Sequence, residues 1–331
     1  MSAPLFLMFP GQGSQYSGMG KDWFENFGEA KLAFEEASDG CGLNLKKLCF
    51  EGSEEDLKKT EVTQPAILTT TVAIFRSLVA QGALQNHLST SIYAGHSLGE
   101  YSALVAMGTL SLGEAAKLVR HRGQYMQEAV PAGMGGMAAL IFKPKTTGNW
   151  EKSLELCEKI IKGSNKTLSP ANNNSPEQIV VAGHKECIDM IVTEAVKEPW
   201  SARRALPLPV SAPFHCALMK AAADRLGPEL ESARWVKPSD TRRYIANVDA
   251  QLHDANDAKG IQKRLVNQIT GAVLWVQSVE LALSQGAVEA VEIGPGAVLS
   301  GLVKRIPVQE KTLNARNVDR WEDYKNAGTF L

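Results

Sequence analysis

Gly95-His96-Ser97-Leu98-Gly99 constrains this chain more than any other stretch. The apolar run Ser91-Ile92-Tyr93-Ala94 enters it as a strand, and Glu100 to Met107 leaves it as a helix. A G-x-S-x-G sequence in that context makes a tight strand-to-helix turn that lifts the serine hydroxyl out of the sheet edge. The turn also aims backbone N–H groups, and the positive end of the helix, at any oxyanion formed beside the serine. The plainer alternative is a glycine-bracketed turn around an inert serine.

The surrounding pattern is α/β. Leu5 to Phe9 is a short apolar run stopped by Pro10-Gly11, which predicts a buried strand ending in a loop. Helical sequence follows from Met19 to Ser38 and from Pro65 to Gln81. Ser111-Leu112-Gly113-Glu114 has capping-box spacing and predicts a helix running toward Gln127. Pro131 to Gly136 reads as a flexible joint. After it, strand (137–142), helix (150–162), strand (167–172), strand (178–182), helix (185–197) and strand (201–208) give the βαββαβ order of a ferredoxin-like unit. Pro207-Leu208-Pro209 looks like the return joint. Beyond it the sequence predicts helices at 219–232, 261–270 and 298–306, with strands at 244–248 and 288–293. The polar tail from Val308 to Leu331 is expected to be loosely held. The expected domains are therefore 1–132 with 206–331, and an inserted 133–205. That division suits 331 residues, which exceed the ~250–300 at which single cores stop growing.

Composition narrows the classes. With 44% hydrophobic and 21% charged residues the chain is globular, and its net charge of -1 offers no bulk attraction to nucleic acid or anionic membrane. The five cysteines form no C-x-x-C pair, which points to free thiols in a reducing compartment. Nothing at the start has the makeup of a signal peptide, and no run reaches the ~18 apolar residues of a membrane span, so the expectation is a cytoplasmic protein. No metal-ligand cluster is visible.

A serine nucleophile needs a base. Of the six histidines, His96 adjoins Ser97 in a turn that aims it elsewhere. His87 and His253 lie in polar stretches expected to be exposed, and His184 suits a helix start. His215 follows the domain joint in Val210-Ser211-Ala212-Pro213-Phe214-His215, where a loop could bring it to the serine. Gly11-Gln12-Gly13 opens like a dinucleotide fingerprint, but Tyr16 stands where the last glycine belongs. That loop is either a structural turn or the source of a second oxyanion N–H, at Gln12. Arg122, judged on spacing beside Lys117 and Arg120, reads as a surface arginine.

Together these segments closely resemble the malonyl-CoA:acyl carrier protein transacylases of fatty-acid and polyketide synthesis. The resemblance rests on Phe9 to Gln15, Gly95 to Leu104, Arg122 to Gln127, Asn174 to Gly183, Val210 to His215, Gln268, Trp275 and Glu292 to Gly296, in order along most of the chain. It implies an α/β-hydrolase-like core with a ferredoxin-like insert and a ping-pong transfer through a malonyl-serine. Ser97 would be the nucleophile and His215 the general base. Gln268 would help orient the imidazole through a main-chain or amide oxygen. Backbone N–H groups of Gln12 and Leu98 would form the oxyanion hole, and Arg122 would hold the malonyl carboxylate. Phe214 resembles the bulky residue of malonyl-selective members. The implied partners are malonyl-CoA and a holo acyl carrier protein, which docks on basic residues for which Lys304, Arg305 and Lys185 are candidates. No cofactor, nucleic acid or membrane is implied, and a monomer is expected. A serine hydrolase, a polyketide acyltransferase and a non-catalytic carrier-binding module are the competing readings.

Overall fold

Leu5–Phe9 forms β1, as its apolar run predicts, and the larger sheet is built around it. A computed structural model describes residues 3–84, 86–210, 212–238, 240, 242–307 and 312–326. Ser211 of the segment before His215, and residues 308–311 and 327–331 of the tail, lie outside the described residues. After β1 come α1 (Lys21–Asn26), α2 (Gly28–Cys41), α3 (Leu45–Glu51), α4 (Glu54–Lys58) and α5 (Thr60–Ala80). β2 (Ile92–Gly95), α6 (Gly99–Ala106) and α7 (Leu112–Glu128) follow. The middle of the chain holds β3 (Gly135–Ile141), α8 (Asn149–Ile161), β4 (Leu168–Ser175), β5 (Gln178–His184), α9 (Lys185–Glu194) and β6 (Arg204–Pro207). Then come α10 (Lys220–Ser232), β7 (Arg243–Ile245), β8 (Leu252–Asp254), α11 (Ala258–Thr270) and α12 (Trp275–Ser284). β9 (Glu289–Ile293), α13 (Val298–Val303), β10 (Asn314–Val318) and α14 (Trp321–Asn326) end the described chain.

The larger sheet has the order β10-β9-β1-β2-β7-β8. Its strands are parallel except for β8, which returns antiparallel on β7. Alternation along β1 divides its side chains between two layers. Leu5, Leu7 and Phe9 enter the core with α2, α5 and α7, while Phe6 and Met8 pack with Trp275 and Val279 of α12 and Leu299 of α13. Helix α5 is long and apolar enough to span a membrane by length and composition, but 89% of its apolar window is buried inside this core.

The smaller sheet, β4-β5-β3-β6, is antiparallel throughout. One face packs Ala138, Leu140, Ile179 and Val181 against α8 and α9. The opposite face sends Met137, Ala139, Val180 and Ala182 into the main core. Two backbone bonds add a seam between the layers: Val273 N–H donates to Ala171, and Asn173 N–H donates to Val273.

Three expectations need correction. The helix predicted from Met19 to Ser38 is broken at Phe27, whose extended backbone turns its ring onto Trp321, 4.7 Å away. Gly135 and Gly136 open β3 rather than lengthening the joint before it. The tail, where described, is held: β10 pairs along the whole of β9, and Trp321 and Tyr324 pack against Trp23. Its polar composition concealed two aromatic anchors.

Candidate active site

The elbow forms because no side chain could fit at its glycines. A Cβ at Gly95 would lie 1.9 Å from the backbone of Gly99, and one at Gly99 would lie 2.1 Å from the carbonyl of Phe9. Strands β1 and β2 run side by side into this crossing, and His96 N–H donates to Phe9 at 3.0 Å. The turn leaves Ser97 in the left-handed region, φ 53°, the strained backbone expected of a nucleophile elbow. Gly11 of the loop after β1 packs against the same turn, where a Cβ would meet the His96 carbonyl at 2.4 Å.

His215 reaches the serine from the segment between β6 and α10. Its Nε2 is 2.8 Å from Ser97 Oγ, and its Nδ1 is 2.8 Å from the main-chain carbonyl of Gln268. The carbonyl fixes the tautomer: Nδ1 carries the proton and Nε2 is left to accept from the hydroxyl. His215 is itself left-handed, φ 60°. Burial, and then the nearby Arg122 charge, push its pKa down to about 3, so the imidazole is neutral across the physiological range.

Arg122 is buried, not on the surface. Its Nη2 donates to Ser97 Oγ at 3.1 Å and to Gln268 Oε1 at 2.9 Å, while Nη1 donates to Gln64 Oε1 at 2.8 Å. All three partners are uncharged, and its Nε is buried without a partner among the described residues. Burial lowers its pKa. The guanidinium is thus held in a buried position by two amides and a hydroxyl.

The other histidines sit elsewhere. His96 turns toward the small sheet, with Nε2 2.8 Å from Asn174 Oδ1, and its burial lowers its pKa. His87 and His253 are half-buried rather than exposed, and His253 contacts Asp249. His184 precedes α9 without capping it by its side chain; its Nδ1 accepts from Thr167 N–H.

Four residues escaped the sequence reading. Gln64 lies on α5 and holds Arg122, and Asn174 on β4 holds His96. Glu100, in the first turn of α6, is fully buried and accepts from Asn247 N–H and Gln268 Nε2. Its burial pushes the carboxyl up to about 7. Asn247 accepts the Ser97 N–H at 2.7 Å. Glu100 directly follows the elbow motif and could have been suspected from it. Asn174 opens a segment that carried the resemblance, whereas Gln64 and Asn247 carry no local signal.

A cavity of about 600 Å³ opens over the serine, between the main core and the inner face of the small sheet. Ser97, Leu98, Arg122, His215, Gln12 and Phe214 all contribute to its wall. Gln268 lies just behind, joined to Arg122 and Ser97. Lys304 and Arg305 are exposed just after α13, whose Leu299 and Leu302 line the cavity. Lys185 is exposed at the start of α9 and paired with Asp189.

Residues 6–326 match the acyl transferase domain family. The malonyl CoA-acyl carrier protein transacylase of Salmonella typhimurium is 44% identical over 94% of this chain and 95% of its own. An acyl carrier protein S-malonyltransferase structure from Vibrio cholerae superposes with a TM-score of 0.87 at 40% identity, over 98% of this chain and all of that one. A malonyl-transacylase solved in complex with a type II PKS acyl-carrier protein gives 0.87 at 41% identity, covering 98% and 99%. With a family match along nearly its whole length and relatives well above 30% identity, the chain belongs to the malonyl CoA-acyl carrier protein transacylases and is an acyltransferase.

Proposed function

We propose that the protein transfers malonyl from malonyl-CoA to the phosphopantetheine thiol of an acyl carrier protein, in fatty-acid biosynthesis. The observation that carries this reading is the convergence on one hydroxyl: Ser97 Oγ contacts both the His215 imidazole and the Arg122 guanidinium. Relatives named for this activity support it.

In the first half-reaction Ser97 Oγ attacks the thioester carbonyl while His215 Nε2 takes its proton. The tetrahedral oxyanion is met by the N–H groups of Gln12 and Leu98, the kind of donors whose loss costs ~2.7–4 kcal/mol of barrier. Collapse expels CoA, whose sulfur takes the proton back from His215. In the second half the carrier thiol gives its proton to His215 and attacks the malonyl ester. Ser97 leaves and is reprotonated. Arg122 binds the malonyl carboxylate throughout, and the Gln268 carbonyl keeps the imidazole aligned. Phe214 restricts room beside the malonyl methylene.

The carrier protein is assigned to the exposed Lys304 and Arg305, with Lys185 as a further contact. The reading takes 1–132 and 206–331 as an α/β-hydrolase-like core, supported by the parallel run β10-β9-β1-β2-β7. It takes 133–205 as a ferredoxin-like insert, supported by the strand order β4-β5-β3-β6. The chain's own side chains carry the chemistry, and the phosphopantetheine belongs to the carrier. The enzyme acts as a monomer in the cytoplasm, in keeping with five free, buried thiols.

Likeness to a transacylase solved with a PKS carrier favours one second reading, service to a polyketide assembly line. Peptide mass spectrometry after brief exposure to malonyl-CoA tests the chemistry. The expected result is a malonyl adduct on the Ser97 peptide that moves to added holo carrier protein and is missing in Ser97→Ala. Rapid release of free malonate instead would make the protein a hydrolase.

A further inference from the structure

The peptide groups around Ser97 are held by side chains from distant parts of the chain. Asn247 is 1% exposed and stands just beyond β7, the neighbour of β2 in the sheet. The register Ala94↔Ile245 brings the ends of these strands together, so the residue two past Ile245 arrives at the elbow. There its Oδ1 accepts the Ser97 N–H at 2.7 Å, and its Nδ2 donates to the Gly95 carbonyl at 2.6 Å. Its own N–H donates to Glu100 Oε2 at 3.1 Å, and its carbonyl accepts from Leu274. On the other side of the nucleophile, Gln268 Nε2 donates to the Ser97 carbonyl at 2.9 Å and to the same Glu100 oxygen at 2.8 Å.

We infer that Asn247 is a positioning residue for the nucleophile: its side-chain amide clamps the N–H of Ser97 and the carbonyl of Gly95. This keeps the elbow in its left-handed form with the hydroxyl between His215 and Arg122. The inference rests on the reading of Ser97 as nucleophile.

The chemistry of the amide explains the residue type. A left-handed backbone at a residue with a Cβ persists only where the surroundings over-determine it. The elbow presents one part-buried donor and one buried acceptor, and a planar amide answers both at once. Leucine, of similar shape, would leave both groups unpaired. Aspartate would keep the acceptor, lose the donor, and set a second carboxylate beside Glu100. The hydroxyl must also stay within reach of two partners, and a displacement near 1 Å costs on the order of 10²-fold in rate.

The test compares Asn247→Leu, Asn247→Ser and Ser97→Ala with the wild type in malonyl transfer from malonyl-CoA to holo carrier protein. Folding is checked by circular dichroism and urea melts. The expected result is a kcat lowered by about 10²-fold in folded Asn247→Leu, with KM for malonyl-CoA nearly unchanged. The rate at which phenylmethylsulfonyl fluoride labels Ser97 should fall in parallel, a substrate-independent measure that a general loss of stability would not reproduce in folded enzyme. Should Asn247→Leu fail to fold, the smaller Asn247→Ser carries the same comparison. A folded variant with wild-type kcat and labelling rate, beside an inactive Ser97→Ala, would overturn the positioning role alone. Full transfer by Ser97→Ala would instead overturn the nucleophile reading beneath it.

Discussion

Arg122 and Ser97 are hydrogen-bonded directly, Nη2 to Oγ at 3.1 Å, in a pocket where, among the described residues, the guanidinium has no carboxylate as a hydrogen-bond partner. It donates instead to the amide oxygens of Gln64 and Gln268, and in the proposed function it pairs with the carboxylate of the acyl group. Arg122→Ala should therefore cost malonyl transfer about 2–5 kcal/mol in kcat/KM, the usual loss when one member of a buried charge pair is removed. Acetyl transfer, which brings no carboxylate, should change far less. The comparison needs only the two acyl-CoA donors and one carrier protein. Equal losses would remove Arg122 from acyl selection.

The site also fixes how activity and stability respond to pH. With its pKa near 3, His215 stays neutral where an ordinary histidine would charge, so the acid limb of kcat/KM for the free enzyme should lie well below pH 6.5. In the unfolded chain His215 binds a proton below about pH 6.5 that the folded chain refuses. Its contribution to stability is therefore lost as pH falls from about 6.5 toward 3. Glu100 acts in the opposite sense. Burial raises its pKa from 4.5 to about 7, so the folded chain retains a proton that the unfolded chain releases, and that contribution is lost as pH rises through this window. Between about 4.5 and 6.5 the two slopes oppose each other. Urea melts should show stability falling more steeply with rising pH in His215→Gln, and climbing in Glu100→Gln. Wild-type slopes in both variants would refute the assignment.

How much of this was legible in the sequence follows from where the information lies. The elbow was, because glycines at 95 and 99 and the apolar strand before them are local and steric. His215 was reachable only as one of several histidines, singled out by its place after a joint. Arg122 was misleading in isolation: helix spacing placed it with Lys117 and Arg120, whereas packing against α5 buries it. Asn247 and Gln64 were invisible because their roles are set by sheet register and helix crossing, which no local pattern encodes. Strand β8 is three residues long and half-exposed, too short to alternate, and α12 lacked a clear start signal. Expectation failed most at the C terminus, where average polarity outweighed Trp321 and the buried Ala315 and Val318.

Glycine substitutions separate steric need from mere presence. Gly99→Ala would drive a Cβ to 2.1 Å from the Phe9 carbonyl, a contact that backbone must move to relieve. Loss of Ser97 labelling, with destabilisation of about 3 kcal/mol or more, is expected for so severe an overpacking. Gly301, inside α13 and exposed, has nothing within 4 Å of the point where a Cβ would stand. There alanine should stabilise by roughly 0.5–1 kcal/mol through the unfolded chain and leave transfer unchanged. Similar effects at both positions would mean the elbow is not sterically locked.

The C-terminal segment should prove part of the catalytic frame. Asp319 accepts from the Tyr16 hydroxyl at 2.8 Å and from Gly296 N–H at 3.0 Å, and its carbonyl accepts from Trp23 Nε1 at 2.7 Å. It thus ties the loop after β1, which carries Gln12, to the loop after β9. Trp321 adds aromatic contacts to Trp23 and Phe27, and its N–H donates to Asp22 at 2.6 Å. Trp321→Ala should cost about 2 kcal/mol in urea melts, roughly half the loss typical of a fully buried ring because this one is partly exposed. Asp319→Ala should cost about 1–3 kcal/mol by orphaning its partners. It should also raise hydrogen exchange across residues 11–16 and lower kcat, as the proposed oxyanion-hole role of the Gln12 N–H requires. A drop in stability with exchange and kcat unmoved would make the tail a brace for the fold, independent of the loop that carries Gln12.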